Sequence, residues 1–116
     1  MMPLETNKYL FDIAQACEHL RQFTGGKRFE DYQTDAMLRS AVERQFEIIG
    51  EALKQALRVT PELTNRLSHA SRIIAFRNRL IHAYASLADE VVWGILERHL
   101  PTLADEVAAL LREGAD

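Results

Sequence analysis

The sequence predicts an all-α protein, an up-and-down bundle of four main helices with the last helix kinked or broken near Pro101. Only three prolines and five glycines interrupt its 116 residues. No window shows the alternation of apolar and polar residues that is typical of a half-buried strand. Apolar residues instead recur every three or four positions, as along one face of a helix. We expect residues 1–116 to form one domain, because shorter pieces would bury too little core.

The first helix is predicted from about Leu4 to Phe23. Its apolar stripe consists of Leu10, Ile13, Ala14, Cys17 and Leu20. These spacings of three and four place the stripe on one face of the helix. Gly25 and Gly26 should end the helix, because glycine readily adopts the left-handed conformation that follows many helices.

A polar connection is expected over residues 27–33, ahead of a long second helix. Thr34 or Asp35 is a suitable N-cap, since both side chains can accept a hydrogen bond from a free backbone N–H. The helix should reach about Arg58, with Pro61 just beyond its end. Its apolar stripe is Leu38, Val42 with Ala41, Gln45 or Phe46, Ile49, Ala52, Leu53 and Ala56.

The third helix is predicted to begin at Ser68 or Ser71 and to end at His82 or Tyr84. A loop that follows the second helix leads into it. Its apolar surface is formed by Ile73, Ile74, Phe76, Leu80 and Ile81. This helix also carries most of the polar groups that could perform chemistry.

The last helix should begin at the segment Ser86–Asp89. A serine followed three residues later by an acidic residue has the spacing of a capping box, with aspartate in place of the usual glutamate. Pro101 has no backbone N–H, so it must kink this helix or restart it. The apolar stripe continues on both sides of the proline, through Val91, Val92, Ile95, Leu96, Leu100, Leu103, Val107, Leu110 and Leu111.

Composition excludes several classes of protein. The net charge of −3 argues against a generally basic protein that coats nucleic acid, although a local basic cleft remains compatible with it. Cys17 is the only cysteine, which excludes an intramolecular disulfide and a cysteine-based zinc cluster. The first residues lack the apolar core of a signal peptide, and no run approaches the ~20 apolar residues of a membrane span. We therefore expect a cytoplasmic protein with no membrane partner.

The segment 77–84, with sequence Arg-Asn-Arg-Leu-Ile-His-Ala-Tyr, concentrates reactive side chains within one predicted helix. At 100° per residue, Arg77 and His82 lie ~140° apart around the helix axis. Asn78 and His82 are four residues apart and share a face. Arg77 must therefore curl round the helix to join His82, or a second copy in a symmetric dimer must bring in the missing group.

These side-chain types suit RNA cleavage without a metal. The 2′-hydroxyl must lose a proton, the phosphate's growing charge must be stabilised, and the leaving oxygen must gain a proton. Histidine suits the proton steps because its unperturbed pKa is ~6.5. Arginine suits the phosphate because its permanently charged guanidinium can donate to two oxygens. A surface ion pair, or a histidine that interacts with a helix C-terminus, would explain the same residues without catalysis.

The sequence resembles the HepT-like branch of the HEPN superfamily. In the family motif, four residues separate an arginine from a histidine, and the first of the four is usually polar. A tyrosine follows the histidine after one further residue. Arg77, Asn78, His82 and Tyr84 match it without a change in spacing. A second segment, residues 41–52, resembles the family's second-helix signature that ends in Gly-Glu-Ala. The helix order and a tryptophan in the last helix also agree, so the resemblance covers nearly the whole chain.

The resemblance implies a metal-independent, homodimeric ribonuclease toxin that needs no cofactor. By position, the catalytic roles in a cleft at the dimer interface fall on Arg77 and His82, with Asn78 in support. The implied partner is an MntA-like nucleotidyltransferase antitoxin that silences the toxin by transferring AMP from ATP onto the motif tyrosine, here Tyr84. A bulky anionic group at that position would block the cleft and repel RNA phosphates.

The second helix carries three glutamates on one face, Glu43, Glu47 and Glu51. A row of carboxylates can bind a metal, but an ion-paired stripe is the better expectation beside the basic third helix. We expect Glu47 or Glu51 to pair with an arginine near the cleft. Gly50 costs ~1 kcal/mol relative to alanine within a helix, which suggests a close helix–helix approach rather than ligand binding.

The remaining reactive residues have plainer expected roles. Cys17 should lie in the core, and Trp93 should anchor the core or a dimer. We expect His19, His69 and His99 at the surface or at an interface, because they lack the partners at i, i+4 of a helical metal site. Two rival hypotheses remain: a helical module that binds nucleotide or RNA without cleaving it, and a structural adaptor for the nucleotidyltransferase.

Overall fold

The computed structural model describes residues 2–82 and 88–115, and the prediction of an all-α fold is confirmed. No residue in these two ranges lies in a strand. A 3₁₀ helix spans Pro61–Asn65. The α-helices are α1 (Leu4–Thr24), α2 (Phe29–Thr34), α3 (Ala36–Val59), α4 (Ala70–His82), α5 (Asp89–Arg98) and α6 (Leu100–Ala115).

The two longest helices, α1 and α3, pack against each other in opposite directions. The Thr6 and Thr60 hydroxyls are 2.7 Å apart at one end, and His19 Nδ1 lies 3.2 Å from Gln45 Oε1 toward the other. The predicted apolar stripes face inward because burial of that surface drives the packing. Fully buried members of the stripes of α1, α3, α4 and α6 include Leu10, Ile13, Leu20, Val42, Phe46, Ile49, Leu53, Ile73, Leu103 and Val107.

The start of α3 follows the capping prediction. Asp35 is the N-cap, and its Oδ1 accepts hydrogen bonds from the backbone N–H groups of Met37 and Leu38 at 3.0 and 3.1 Å. These two donors have no partner within the helix itself. The cap fixes where α3 begins, and so fixes which residues of this helix face α4.

The expected polar connection before α3 is wrong, because residues 29–34 form the short helix α2. Asp31 accepts a hydrogen bond from the backbone N–H of Arg28 at 2.8 Å and so stabilises the first turn. Tyr32 is buried, and its ring centroid lies 5.5 Å from that of Trp93. A helix of six residues is too short to show a periodic pattern, which is why the sequence did not predict it.

The last predicted helix is two helices. α5 begins at Asp89, within the segment Ser86–Asp89 that was predicted to start it, and its N-cap is Ala88. Ser86, the serine of the predicted capping box, lies outside the described residues. The chain breaks at His99 and restarts with α6, whose second residue is Pro101. The first turn of a helix tolerates proline because its N–H groups have no partner within the helix. The prediction of a kink or restart at Pro101 is therefore confirmed.

The helix α4 packs along α3 and carries the predicted reactive residues. It starts at Ala70, between the two serines predicted for its start. The carboxylate of Glu106 in α6 accepts a hydrogen bond from the backbone N–H of Ser68 at 3.1 Å, just before this helix begins. Over the described ranges, no helix is long and apolar enough to cross a membrane.

Candidate active site

Arg77 is held against α3 by a carboxylate. Its Nη2 lies 2.7 Å from Oε2 of Glu51, and its side chain is only 17% exposed. The sequence predicted Glu47 or Glu51 as the partner of an arginine near the cleft, and Glu51 fills that role. Glu47 instead pairs with Arg44 on its own helix at 3.3 Å. Glu47 and Glu51 are therefore ion-paired, as expected, whereas Glu43 forms no ion pair among the described residues.

Gly50 makes room for Arg77. A Cβ built on Gly50 would lie 2.3 Å from the Cβ of Arg77 and 2.5 Å from its Cγ. Unbonded carbon atoms do not approach so closely, so only glycine lets α3 and α4 meet at this distance. The predicted close helix–helix approach at Gly50 is confirmed, and it places the carboxylate of the next residue, Glu51, within reach of the guanidinium.

Asn78 supplies a second acceptor for the same guanidinium. Its Oδ1 accepts a hydrogen bond from Nη1 of Arg77 at 2.9 Å. With Glu51 on Nη2 and Asn78 on Nη1, the plane of the guanidinium is fixed from two sides. A guanidinium has five N–H donors, so further donors stay available to an anion. The Nε of Arg77 is buried and has no hydrogen-bond partner among residues 2–82 and 88–115.

His82 is the last residue of α4, and its side chain is exposed. It lies on the same face of the helix as Asn78, while Arg77 lies ~140° away on the face toward α3. In a single protomer Arg77 contacts Asn78, and no hydrogen bond joins Arg77 to His82 among the described residues. Tyr84, the expected site of AMP transfer, lies outside the described residues.

A pocket of about 290 Å³ opens beside Arg77, between α1, α3 and α4. Its charged lining is mixed and consists of Asp12, Arg44, Glu47, Glu51 and Arg77. Because the carboxylates outnumber the arginines, this side of the protomer alone is a poor site for a phosphate. In the part of the chain that the structure describes, no three His, Cys, Asp or Glu side chains are grouped so that they could hold a metal ion.

The structure also shows the surroundings of other residues that were singled out in the sequence. Cys17 is buried as predicted, and burial raises the pKa of its thiol to about 12. Trp93 is half-buried against Phe29 and Tyr32, consistent with an anchor of the core. Burial, followed by the neighbouring Glu47, raises the pKa of Glu43.

The sequence placed His69 and His99 at the surface or at an interface, and the fold brings the two rings together. The rings of His69 and His99 lie 4.4 Å apart at the corner where α5 meets α6. Thirty residues separate them in the chain, so no local pattern predicts their contact. Both are partly buried.

Comparison of the sequence with known proteins places this chain in a family. The model of the HepT-like ribonucleases matches residues 13–110. A protein of Caldanaerobacter subterraneus subsp. tengcongensis, named as an RNase by inference, is 32% identical over 90% of this chain and 93% of its own length. A protein of Thermococcus cleftensis, named as a HepT ribonuclease on the same basis, is 37% identical over 82% of this chain and 86% of its own. No solved structure matches. With the family model spanning most of its length, the chain belongs to the HepT-like ribonuclease family.

Proposed function

We propose that this protein is a metal-independent ribonuclease toxin that acts in the cytoplasm as a homodimer. The observation that supports this most is the arginine of the motif. Arg77 is fixed by Glu51 and Asn78 on the helix that ends with the exposed His82. Cleavage of a phosphodiester needs a group that stabilises negative charge and a group that transfers protons, and the oriented guanidinium and the accessible imidazole are such groups. The family of the chain supports RNA as the substrate.

In the proposed reaction His82 moves the proton and Arg77 stabilises the charge. The neutral imidazole of His82 takes the proton of the 2′-hydroxyl, and the 2′ oxygen forms a bond to phosphorus. The bond from phosphorus to the 5′ oxygen breaks, and the imidazolium returns the proton to that oxygen. The products are a 2′,3′-cyclic phosphate and a 5′-hydroxyl. Arg77 donates to the phosphate oxygens as their charge grows.

A symmetric dimer joins groups that one protomer keeps apart. Four exposed residues at helical spacing, Ser71, Ala75, Asn78 and His82, form the face of α4 that points away from the core. The first two are small and permit a second α4 to approach closely. We infer that two such faces meet, so that Arg77 of one protomer acts together with the partner's His82 in each of two equivalent clefts.

Regulation is proposed to act through Tyr84. This residue follows His82 by two positions, so a group attached to it lies close to the proposed proton carrier. Transfer of AMP from ATP by an MntA-like nucleotidyltransferase would add a bulky phosphodiester anion there. The added negative charge would repel the RNA backbone, and the adenosine would occupy the cleft.

The reaction class is tested with purified protein, excess EDTA and two end-labelled substrates of the same sequence. One substrate is RNA, and the other carries 2′-deoxyribose throughout. We expect cleavage of the RNA alone, unaffected by EDTA, with 2′,3′-cyclic phosphate ends identified by mass spectrometry. Cleavage of the deoxy substrate, or cleavage that requires added Mg²⁺, would refute the mechanism. Binding of RNA without any cleavage would favour the alternative of a non-catalytic binding module.

A further inference from the structure

One flank of α4 is strongly cationic in a protein whose net charge is −3. The helix contains three arginines and a histidine but no acidic residue. Arg72 and Arg79 are seven residues apart, so their side chains leave the helix within ~20° of each other, ~10 Å apart along the axis. Both are exposed. Arg77, in contrast, points toward α3 and belongs to the site already described.

The corner between α5 and α6 extends this cationic flank. Nη1 of Arg72 lies 3.2 Å from Nε2 of His99, and the ring of His99 lies 4.4 Å from that of His69. Burial lowers the pKa of His99, and the charges of His69, Arg72 and Arg98 lower it further. His99 is therefore favoured as the neutral imidazole, which can accept the hydrogen bond from Arg72, and the permanent positive charge at this corner is that of the arginines.

Within residues 2–82 and 88–115, neither Arg72 nor Arg79 forms an ion pair with a carboxylate. Most other arginines do pair: Arg21, Arg28, Arg44, Arg58, Arg66 and Arg77. Glu106 lies near the same corner, but its carboxylate already accepts hydrogen bonds from Ser68. The positive charge of this flank therefore stays available to an external partner.

We propose that Arg72 and Arg79, with the neighbouring His69, here named the α4 track, bind the backbone of single-stranded RNA and lead it to His82. Arg79 is three residues from His82, and Arg72 is ~15 Å from it along the helix. The two arginines are ~10 Å apart along the axis, so successive phosphates of one strand can contact them in turn. Each further contact on the same strand strengthens binding, which suits a polymer. This proposal rests on the proposed function, because it takes RNA as the substrate.

The test compares two double variants that each remove two positive charges. Arg72→Ala/Arg79→Ala removes the centre of the track. Arg21→Ala/Arg112→Ala removes two exposed arginines from α1 and α6 and is the matched control. Binding of a fluorescent uridine dodecamer is measured over a series of salt concentrations in a His82→Ala background, so that cleavage does not interfere. Cleavage of the dinucleotide UpU, which has one internucleotide phosphate, is measured in the native background.

We expect the track variant to bind the dodecamer roughly tenfold more weakly at low salt. The slope of log affinity against log salt should become shallower by about 1.4, since each phosphate contact on a single strand contributes ~0.7. Cleavage of UpU should fall less than dodecamer binding, because a dinucleotide at His82 can reach Arg79 but not Arg72, which is ~15 Å away along the helix. An unchanged dodecamer affinity, or an equal loss in the matched control, would overturn the proposal.

The test separates this proposal from the proposed function. If the native protein cleaves RNA and the track variant binds the dodecamer normally, the track is wrong and the ribonuclease assignment stands. If the track variant loses dodecamer binding and the native protein cleaves no RNA, the track is supported as an RNA-binding surface and the ribonuclease assignment fails.

Discussion

Replacing His82 with alanine is expected to abolish RNA cleavage and growth inhibition while the fold is kept. General acid–base catalysis by a positioned side chain contributes about 10²–10⁴-fold to a rate, and the proposed reaction assigns both proton transfers to this one imidazole. His82 is exposed at the end of α4, and no hydrogen bond or ion pair ties its ring to another described residue. Its removal should therefore change the free energy of unfolding by no more than about 0.5 kcal/mol.

The matched control for this variant is His19→Ala. It removes a partly buried imidazole from α1 that contacts Gln45 and stacks on Phe23, with no part in the proposed cleft. Cleavage rates are measured on the same RNA, and thermal unfolding is followed by circular dichroism. We expect the control to keep its activity. Full activity of the His82→Ala protein would remove the basis for the catalytic role of the motif.

Replacing Gly50 with alanine should lower the stability of the fold and RNA cleavage together. The new Cβ would meet the Cβ of Arg77 at 2.3 Å. A change of rotamer cannot move that atom, because it is attached to the backbone of α4. The two helices must separate, and overpacking of this kind costs about 1–3 kcal/mol. Separation also moves Arg77 away from Glu51, so RNA cleavage should fall together with stability.

Gly94→Ala is the matched control, because it adds the same methyl group to a different helix. A Cβ on Gly94 in α5 meets no atom within 4 Å. Alanine is favoured over glycine in a helix by about 0.8–1 kcal/mol, so this variant should be as stable as the native protein or more stable. Denaturant unfolding measures both variants. A Gly50→Ala protein as stable as the Gly94→Ala protein, which gains the same helix propensity, would show that the close contact of α3 and α4 does not exist in solution.

The main features of the fold could be predicted because long helices repeat their pattern many times. The stripes of α1 and α3 and the N-cap at Asp35 follow from spacing and side-chain chemistry alone. The short helix α2 and the role of Ala88 as the N-cap of α5 did not follow. Six residues are less than two helical turns, and the burial of Tyr32 against Trp93 depends on a contact across sixty residues of chain.

The sequence predicted which types of residue form the site, but it predicted less well which of these residues contact each other. The sequence predicted that either Glu47 or Glu51 pairs with an arginine near the cleft. These two glutamates are four residues apart on the same helix face, so their spacing does not show which one forms the ion pair. The structure selects Glu51, because it follows Gly50, where α3 and α4 come closest. The meeting of His69 with His99 was not predictable, since it depends on how α4 and the corner between α5 and α6 pack.

The most direct test of the composite cleft is the activity of a heterodimer. One protomer carries Arg77→Ala and the other His82→Ala, with different affinity tags so that only mixed dimers are isolated. Each variant is inactive as a homodimer, because both of its clefts lack one group. In the heterodimer one cleft lacks both groups and the other is intact, so the account predicts about half of the native cleavage rate per dimer. A heterodimer as inactive as its parent variants would contradict the sharing of Arg77 and His82 between protomers.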